Sequence, residues 1–211
     1  MCFSANASFG SGIILAVISV VSLKKVQYPT HVYFAAIPLI FCIQQITEGI
    51  LWIALTDPVY ASLEKVTTYS FLFFAQVIWP IWIPFTVLSL EKNRKHKTIQ
   101  KTLVGIGGLV SLYLAYCLAS FPIKAIITGS PILYLQDYPK TLSNYGSFLY
   151  VLVTIAPCFI SRIKQIGLLG ILILISYGIT LFFYSDYTIS VWCFFASIIS
   201  IIIWHIVKNI K

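Results

Sequence analysis

The sequence predicts an all-α integral membrane protein, a single domain that crosses the bilayer seven times as a helix bundle. Three observations predict this fold. The 211-residue chain is 59% hydrophobic and 9% charged, whereas a soluble domain has about 25% charged residues. Apolar runs of bilayer-spanning length recur along the chain. The net charge of +8 comes from basic residues between these runs, which excludes a soluble domain and argues against nucleic-acid binding.

The apolar runs define the predicted helices. They are residues 7–23, 32–55, 67–90, 102–121, 145–161, 166–184 and 188–207. Lys24 and Lys25 end the first run, and Asp57 and Pro58 end the second. These two runs therefore end at charged or helix-breaking residues.

Prolines and glycines inside the runs predict local features. Pro80 and Pro84 are expected to kink the third helix and to free backbone carbonyls, which neighbouring helices can then satisfy. Gly105, Gly107 and Gly108 are expected to let another helix approach the fourth one closely.

Basic residues predict the orientation in the membrane. If the N-terminus is outside and the C-terminus inside, eleven basic residues lie on the inner side and three on the outer side. The outer three are Lys65, Lys124 and Lys140. Because positively charged loops stay on the cytoplasmic side, this asymmetry predicts an N-out, C-in topology.

The connection between the fourth and fifth helices is the longest, covering residues 122–144. It contains Gly129, Pro131 and Pro139, so a continuous helix is not expected. It also contains apolar residues at 126–127 and 132–135, too many for a free loop. We therefore expect a structured outer connection that packs on the bundle.

Glu48 is the only acidic residue inside a predicted span. On a helix it shares one face with Gln44, Gln45 and Trp52. A carboxyl group within a bilayer costs at least ~2.5 kcal/mol, so such a residue usually faces the protein interior and is a candidate for function. Glu48 is accordingly the predicted catalytic or counter-ion residue.

Other polar or aromatic side chains are predicted at a similar depth. Counting the helical rise from the outer ends places Gln76, Trp192 and Cys193 in the same outer half as Glu48. Together with Gln44, Gln45 and Trp52, they form the predicted ligand-binding set. A purely structural interpretation also fits, with the carboxyl bonded to Gln76, a tyrosine or the two amides.

Cysteines and histidines predict no metal site. The five cysteines have no C-x-x-C spacing. His31 lies about 25 Å along the second helix from Glu48, which disfavours a His–Glu metal site. Cys2 would become the N-terminal residue if Met1 is removed, and it is then a conceivable nucleophile.

Three motifs carry a family resemblance that covers the whole chain. The opening Met-Cys-Phe-Ser-Ala, the pattern Gln45-x-x-Glu48-Gly49-x-x-Trp52 and the run Trp192-Cys193-Phe194-Phe195 resemble an uncharacterised family of small prokaryotic multi-pass membrane proteins. That family often has histidine where this chain has Gln44. The resemblance implies a membrane fold but no activity.

The seven-span layout is also similar to that of the alkaline ceramidase and adiponectin-receptor superfamily of intramembrane zinc hydrolases. Those enzymes need a His-x-x-x-His pair in the last span. Here His205 has Ile201 and Asn209 four residues away on either side, which argues against zinc hydrolysis. Lys208 lies at the inner edge of the last span, which argues against a retinal Schiff base.

The sequence leaves more than one function open. The leading hypothesis is a bacterial inner-membrane protein that binds or translocates a small or lipid-like ligand in an outer-half pocket centred on Glu48, with membrane lipids as partners. The nearly apolar inner half of the second span favours a closed pocket over a pore. The alternative is an intramembrane enzyme acting on a lipid or prenyl substrate, with Glu48 as general acid or base. A structural or assembly role is the third hypothesis, and no cofactor is indicated.

Overall fold

Seven helical segments make up most of the chain. The computed structural model describes residues 4–129 and 131–210, with backbone alone for residues 140–145. Within these ranges the segments are α1 Ala5–Lys24, α2 Pro29–Thr56, α3 Pro58–Leu90, α4 Arg94–Ser120, α5 Lys140–Ile160, α6 Lys164–Phe183 and α7 Ser185–Asn209. All except α5 are long and apolar enough to cross a membrane, and the described apolar part of α5 is Gly146–Ile160. The predicted seven helices are confirmed, while their orientation stays a prediction.

Three segments change helical geometry along their length. α2 begins with a 3₁₀ turn at Pro29–His31 and a short helix at Val32–Ala35, then continues as Ile37–Thr56. α7 consists of a 3₁₀ turn at Ser185–Tyr187 followed by helices Thr188–Ile199 and Ile202–Asn209.

α3 is the most irregular segment. It runs through a 3₁₀ turn at Pro58–Leu63, an α-helix at Glu64–Leu72, a π-helical turn at Phe73–Ile78 and an α-helix at Trp79–Leu90. Pro80 lies two residues after the π-helical turn and has no N–H to donate back to it. The turn therefore needs donors from elsewhere for its carbonyl oxygens.

Each helix packs against the next one along the chain, and α7 closes the bundle against α1 and α2. α1 turns a row of mostly small residues toward α2: Ser8, Gly12, Leu15, Ser19 and Ser22 are buried. Small residues let two helix backbones approach closely, which is the usual contact between membrane helices.

The glycines of α4 have different environments. Gly107 packs directly on the backbone of Pro80 in α3, whereas Gly105 and Gly108 have open space around them. The predicted close approach is confirmed at Gly107 and is wrong for the other two.

The connection between α4 and α5 contains a β-hairpin. Strand β1, Ile123–Ile127, pairs antiparallel with β2, Ile132–Gln136, and Gly129 in the turn has a φ of 77°, which glycine adopts readily. The inward face packs Ala125, Ile132 and Tyr134 into an apolar cluster with residues of α2, α3, α4 and α7. The connection is therefore ordered and packs on the bundle, but as strands that the all-α prediction did not include.

The outward faces of several helices are apolar. Ile13, Leu109, Leu112 and Phe182 are between 65% and 83% exposed. Large apolar side chains over so much of a surface are costly in water and normal against lipid. The architecture is compatible with a multi-pass membrane protein.

Candidate functional site

Glu48 links two helices in the centre of the bundle. Its side chain is 0% exposed, and its Oε1 accepts a hydrogen bond of 2.6 Å from the Ser190 hydroxyl of α7. The other oxygen, Oε2, has no hydrogen-bond partner in the described part of the chain. The acidic residue of an apolar span is thus hydrogen-bonded to a residue that is 142 positions away in the sequence.

The two glutamines on the same helix face, Gln44 and Gln45, form hydrogen bonds with residues other than Glu48. Gln44 Oε1 accepts from the Trp79 indole N–H at 2.8 Å, and its amide lies beside the Cys193 thiol. Gln45 Oε1 accepts from the Ser11 hydroxyl at 3.1 Å. The shared face that the sequence predicts is buried as expected, but its polar groups bond outward to α1, α3 and α7 rather than to one another.

Gln76 bonds to the last residue of strand β2 and to the segment that follows it. Its side-chain nitrogen donates to Gln136 Oε1 at 3.0 Å, and its oxygen accepts from the Tyr138 hydroxyl at 3.0 Å. Burial raises the pKa of the Tyr138 phenol, and nearby Cys117, Tyr69 and Tyr113 raise it further. Tyr138 therefore stays protonated at neutral pH and keeps this donor.

The π-helical turn that carries Gln76 is supported by two other helices. The Tyr150 hydroxyl of α5 donates to the Ala75 carbonyl, and the Ser111 hydroxyl of α4 donates to the Val77 carbonyl at 2.7 Å. These bonds confirm that neighbouring helices satisfy the carbonyls near Pro80. π-helical turns often occur at functional sites, and this one places Gln76 on a cavity wall.

A cavity of about 180 Å³ lies between the end of the hairpin, α3, α4, α5, α6 and α7. Its polar end is formed by Gln76, Gln136 and Tyr138, and Tyr113, Tyr150 and Tyr177 contribute further to its walls. No charged residue is among the described residues that line it. The cavity is thus suited to an uncharged molecule that is polar at one end.

A second cavity of about 50 Å³ continues along α7 away from the hairpin. The two cavities share Tyr150, Trp192 and Cys193 in their walls. Trp192 contacts Tyr150 with ring centroids 5.8 Å apart and Tyr177 at 4.7 Å. The second cavity is lined mainly by aliphatic and aromatic side chains. The two cavities together therefore extend from a polar end at the hairpin to an apolar end along α7.

The structure brings together only part of the predicted site. Gln76, Trp192 and Cys193 line the larger cavity, whereas Glu48, Gln44, Gln45 and Trp52 do not. Trp52 instead packs in the apolar cluster beneath the hairpin. Cys193 joins the two groups, because it lines the cavity and its thiol lies beside the Gln44 amide.

Four contributing residues were not singled out from the sequence as site residues. Ser190 bonds Glu48, while Gln136, Tyr138 and Tyr150 shape the cavity. The only available signal was the polar run Gln-Asp-Tyr at 136–138, between apolar segments. Cys2, the conceivable N-terminal nucleophile, lies outside the described residues.

Apolar helices of spanning length, apolar outward faces and a buried polar network are compatible with a multi-pass helical membrane protein. The chain belongs to DUF6629, a family of unknown function whose model matches residues 1–211. The membership confirms the resemblance to an uncharacterised family. No curated protein and no solved structure matches the chain.

Proposed function

We propose that this protein binds an uncharged, amphipathic small molecule or lipid in the cavity between the hairpin and α3, α5, α6 and α7. The observation that carries the proposal is the cavity itself, with amide and phenol groups at one end and an apolar continuation past Tyr150 and Trp192. Ligand sites are usually concave, mostly apolar and supplied with a few converging polar groups.

The volume supports a ligand with one ring-sized group. An apolar cavity of about 150 Å³ is large enough for benzene, and the larger cavity holds about 180 Å³. Gln76, Gln136 and Tyr138 supply both donors and acceptors for a hydroxyl or carbonyl group of the ligand. A longer apolar tail follows the second cavity along α7.

The surroundings favour binding over translocation of an ion. The described lining of both cavities lacks charged side chains, whereas ion pathways through membrane proteins are marked by ionisable residues. Ligand binding in a closed pocket is consistent with the apolar inner half of α2.

The enzyme alternative has weaker support in this geometry. A general acid or base must come within hydrogen-bond reach of the reacting group. Glu48 is not among the described residues that line the cavity, and its carboxyl group is buried beside Ser190. We propose instead that Glu48 fixes α7 against α2, and thereby holds Cys193 and Trp192 in the cavity wall.

We further propose that the protein resides in the bacterial inner membrane with its N-terminus and hairpin outside. The asymmetry of eleven basic residues against three supports this orientation. Membrane lipids would then cover the apolar outward faces of the helices.

Native mass spectrometry of protein purified in mild detergent tests the ligand proposal. Gly146 lies on the cavity wall, and a Cβ there would meet Tyr113 at an ordinary 3.7 Å. Gly146→Leu should therefore fold while its side chain occupies the cavity. Gly178→Leu is the matched control, because nothing lies within 4 Å of a Cβ at that outward position.

Wild-type protein and Gly178→Leu should retain a bound neutral molecule, and Gly146→Leu should lose it at an unchanged melting temperature. Equal retention by Gly146→Leu, or a bound molecule that carries a strong charge, would contradict the proposal.

A further inference from the structure

A third cavity lies at the end of the bundle opposite the hairpin, and its chemistry is different. It measures about 660 Å³ and is formed where α2 and α4 begin, where α3 and α7 end, and between α5 and α6. Ligand pockets commonly range from about 300 to 1,000 Å³. The cavity is therefore large enough for more than a single small ion.

The cavity is lined by more positive than negative charge. Lys92, Arg162 and Lys164 contribute cations, and Glu91 contributes the single carboxylate in the described lining. Glu91 Oε1 already accepts a hydrogen bond of 2.9 Å from the backbone N–H of Asn93. This internal bond holds the carboxylate within the loop between α3 and α4 and leaves a net positive cavity.

His31 provides a buried polar group in the same wall. Its side chain is only 4% exposed although the residue lines the cavity. Its Nδ1 has no hydrogen-bond partner in the described part of the chain. Buried polar groups nearly always have a partner, so a buried Nδ1 atom without one in the described part of the chain, beside a charged cavity, points to a ligand.

The start of α6 adds backbone donors. Ile163, Lys164 and Gln165 at this helix start line the cavity. The N-cap residue Ile163 supplies no side-chain cap, and its own N–H donates to the Ser161 hydroxyl at 3.2 Å. The backbone donors that remain for a ligand are therefore those of Lys164 and Gln165. The first N–H groups of a helix have no partner inside the helix, and its dipole favours a negative charge at this end. Together with nearby cationic side chains, such a helix start is a common phosphate site.

We propose that this cavity binds the phosphate group of an anionic ligand, between Arg162, Lys164, Lys92 and the start of α6. A guanidinium group bonds phosphate oxygens in pairs, and lysine adds a point charge. Under the predicted topology this end faces the cytoplasm, where basic pockets between membrane helices bind anionic lipid headgroups. The phosphate belongs either to such a headgroup or to a soluble phosphate compound. This site is separate from the ligand cavity proposed above.

The test compares two double variants with the same loss of charge. Arg162→Gln/Lys164→Gln removes two exposed cations from the cavity wall. Lys95→Gln/Lys97→Gln removes two exposed cations near the start of α4 that do not line it. Lipid binding is measured by native mass spectrometry with phosphatidylglycerol and with phosphatidylcholine. Binding of soluble phosphate is measured as the rise in melting temperature when inorganic phosphate replaces chloride at equal ionic strength.

Wild-type protein and the Lys95/Lys97 variant should bind the phosphate probe with equal affinity. The Arg162/Lys164 variant should bind it at least about tenfold more weakly, because two charge-assisted contacts are lost. Selective retention of phosphatidylglycerol would identify a lipid headgroup. A rise in melting temperature with inorganic phosphate alone would identify a soluble phosphate compound. Equal weakening in both variants, or no binding of either probe, would overturn the proposal.

Discussion

Gly107 of α4 lies so close to Pro80 of α3 that a Cβ atom at position 107 would be 2.0 Å from the Pro80 carbonyl oxygen. The obstacle is backbone, which cannot rotate away as a side chain does. Since overpacking a tight contact costs roughly 1–3 kcal/mol, Gly107→Ala should lower the melting temperature in detergent by several degrees. Gly108→Ala should leave it unchanged or raise it slightly, because that position is open and alanine favours a helix. Equal melting temperatures for the two variants would contradict this contact.

The Glu48–Ser190 hydrogen bond allows a test of whether Glu48 has a structural role or a role in ligand binding. Glu48→Gln keeps an oxygen that can accept from Ser190, so its melting temperature should stay near that of wild type. Ser190→Ala removes the donor and leaves both carboxyl oxygens without a hydrogen bond from the described residues, at a cost of roughly 1–3 kcal/mol. Thermal denaturation and bound-ligand mass are measured together.

If Glu48 acts only by holding α2 and α7 together, Glu48→Gln should also keep the bound ligand. Loss of the ligand at an unchanged melting temperature would favour the hypothesis drawn from the sequence, in which the carboxyl group itself serves the ligand.

The contacts of Gln76 predict how firmly the hairpin is held. Gln76→Leu removes both hydrogen bonds to Gln136 and Tyr138, which should loosen the segment and expose it to protease. Trypsin should cut at the exposed Lys124 slowly in wild-type protein and several-fold faster in the variant. Tyr28→Phe is the control and should behave as wild type, because Tyr28 is an exposed tyrosine just before α2 that contacts His31, at the end of the bundle opposite the hairpin. Rapid cleavage of the wild-type protein would show that the hairpin does not stay docked.

The predicted orientation is testable by cysteine labelling. Thr128 in the hairpin turn and Lys97 in α4 are both exposed, whereas Cys42, Cys117, Cys158 and Cys193 are buried. In a chain with Cys2 replaced by serine, a membrane-impermeant thiol reagent added to intact cells should label Thr128→Cys and leave Lys97→Cys unlabelled. The reverse pattern would refute the N-out topology.

The helices were predictable because long apolar runs separated by charged residues leave few alternatives in a membrane protein. The hairpin was not, because neither strand shows the alternation that marks a half-buried strand. Ile126, Leu133 and Leu135 on its outer face are as apolar as Ile132 and Tyr134 on its inner face. The sequence therefore indicated an ordered apolar connection but not its secondary structure.

Only part of the site was predictable from the sequence, and the reason differs from that for the hairpin. The rise per residue places a side chain along the helix axis, but says nothing about which way it faces across the bundle. Glu48 and Gln76 were expected at similar depth, yet they bond to Ser190 and to Gln136 and Tyr138, respectively. Ser190 itself resembles many other serines in apolar helices, so only the packing of α7 against α2 reveals its role.

The hydrogen bond between Glu48 and Ser190 also bears on how the protein is made. α2 leaves the ribosome well before Ser190 does, because 142 residues separate the two partners. During that interval the carboxyl group lacks this donor, and an unpaired carboxyl within a bilayer is costly. Until α7 inserts, α2 therefore carries a carboxyl group without its Ser190 donor, and a chain that ends before α7 is expected to be less stable in the membrane.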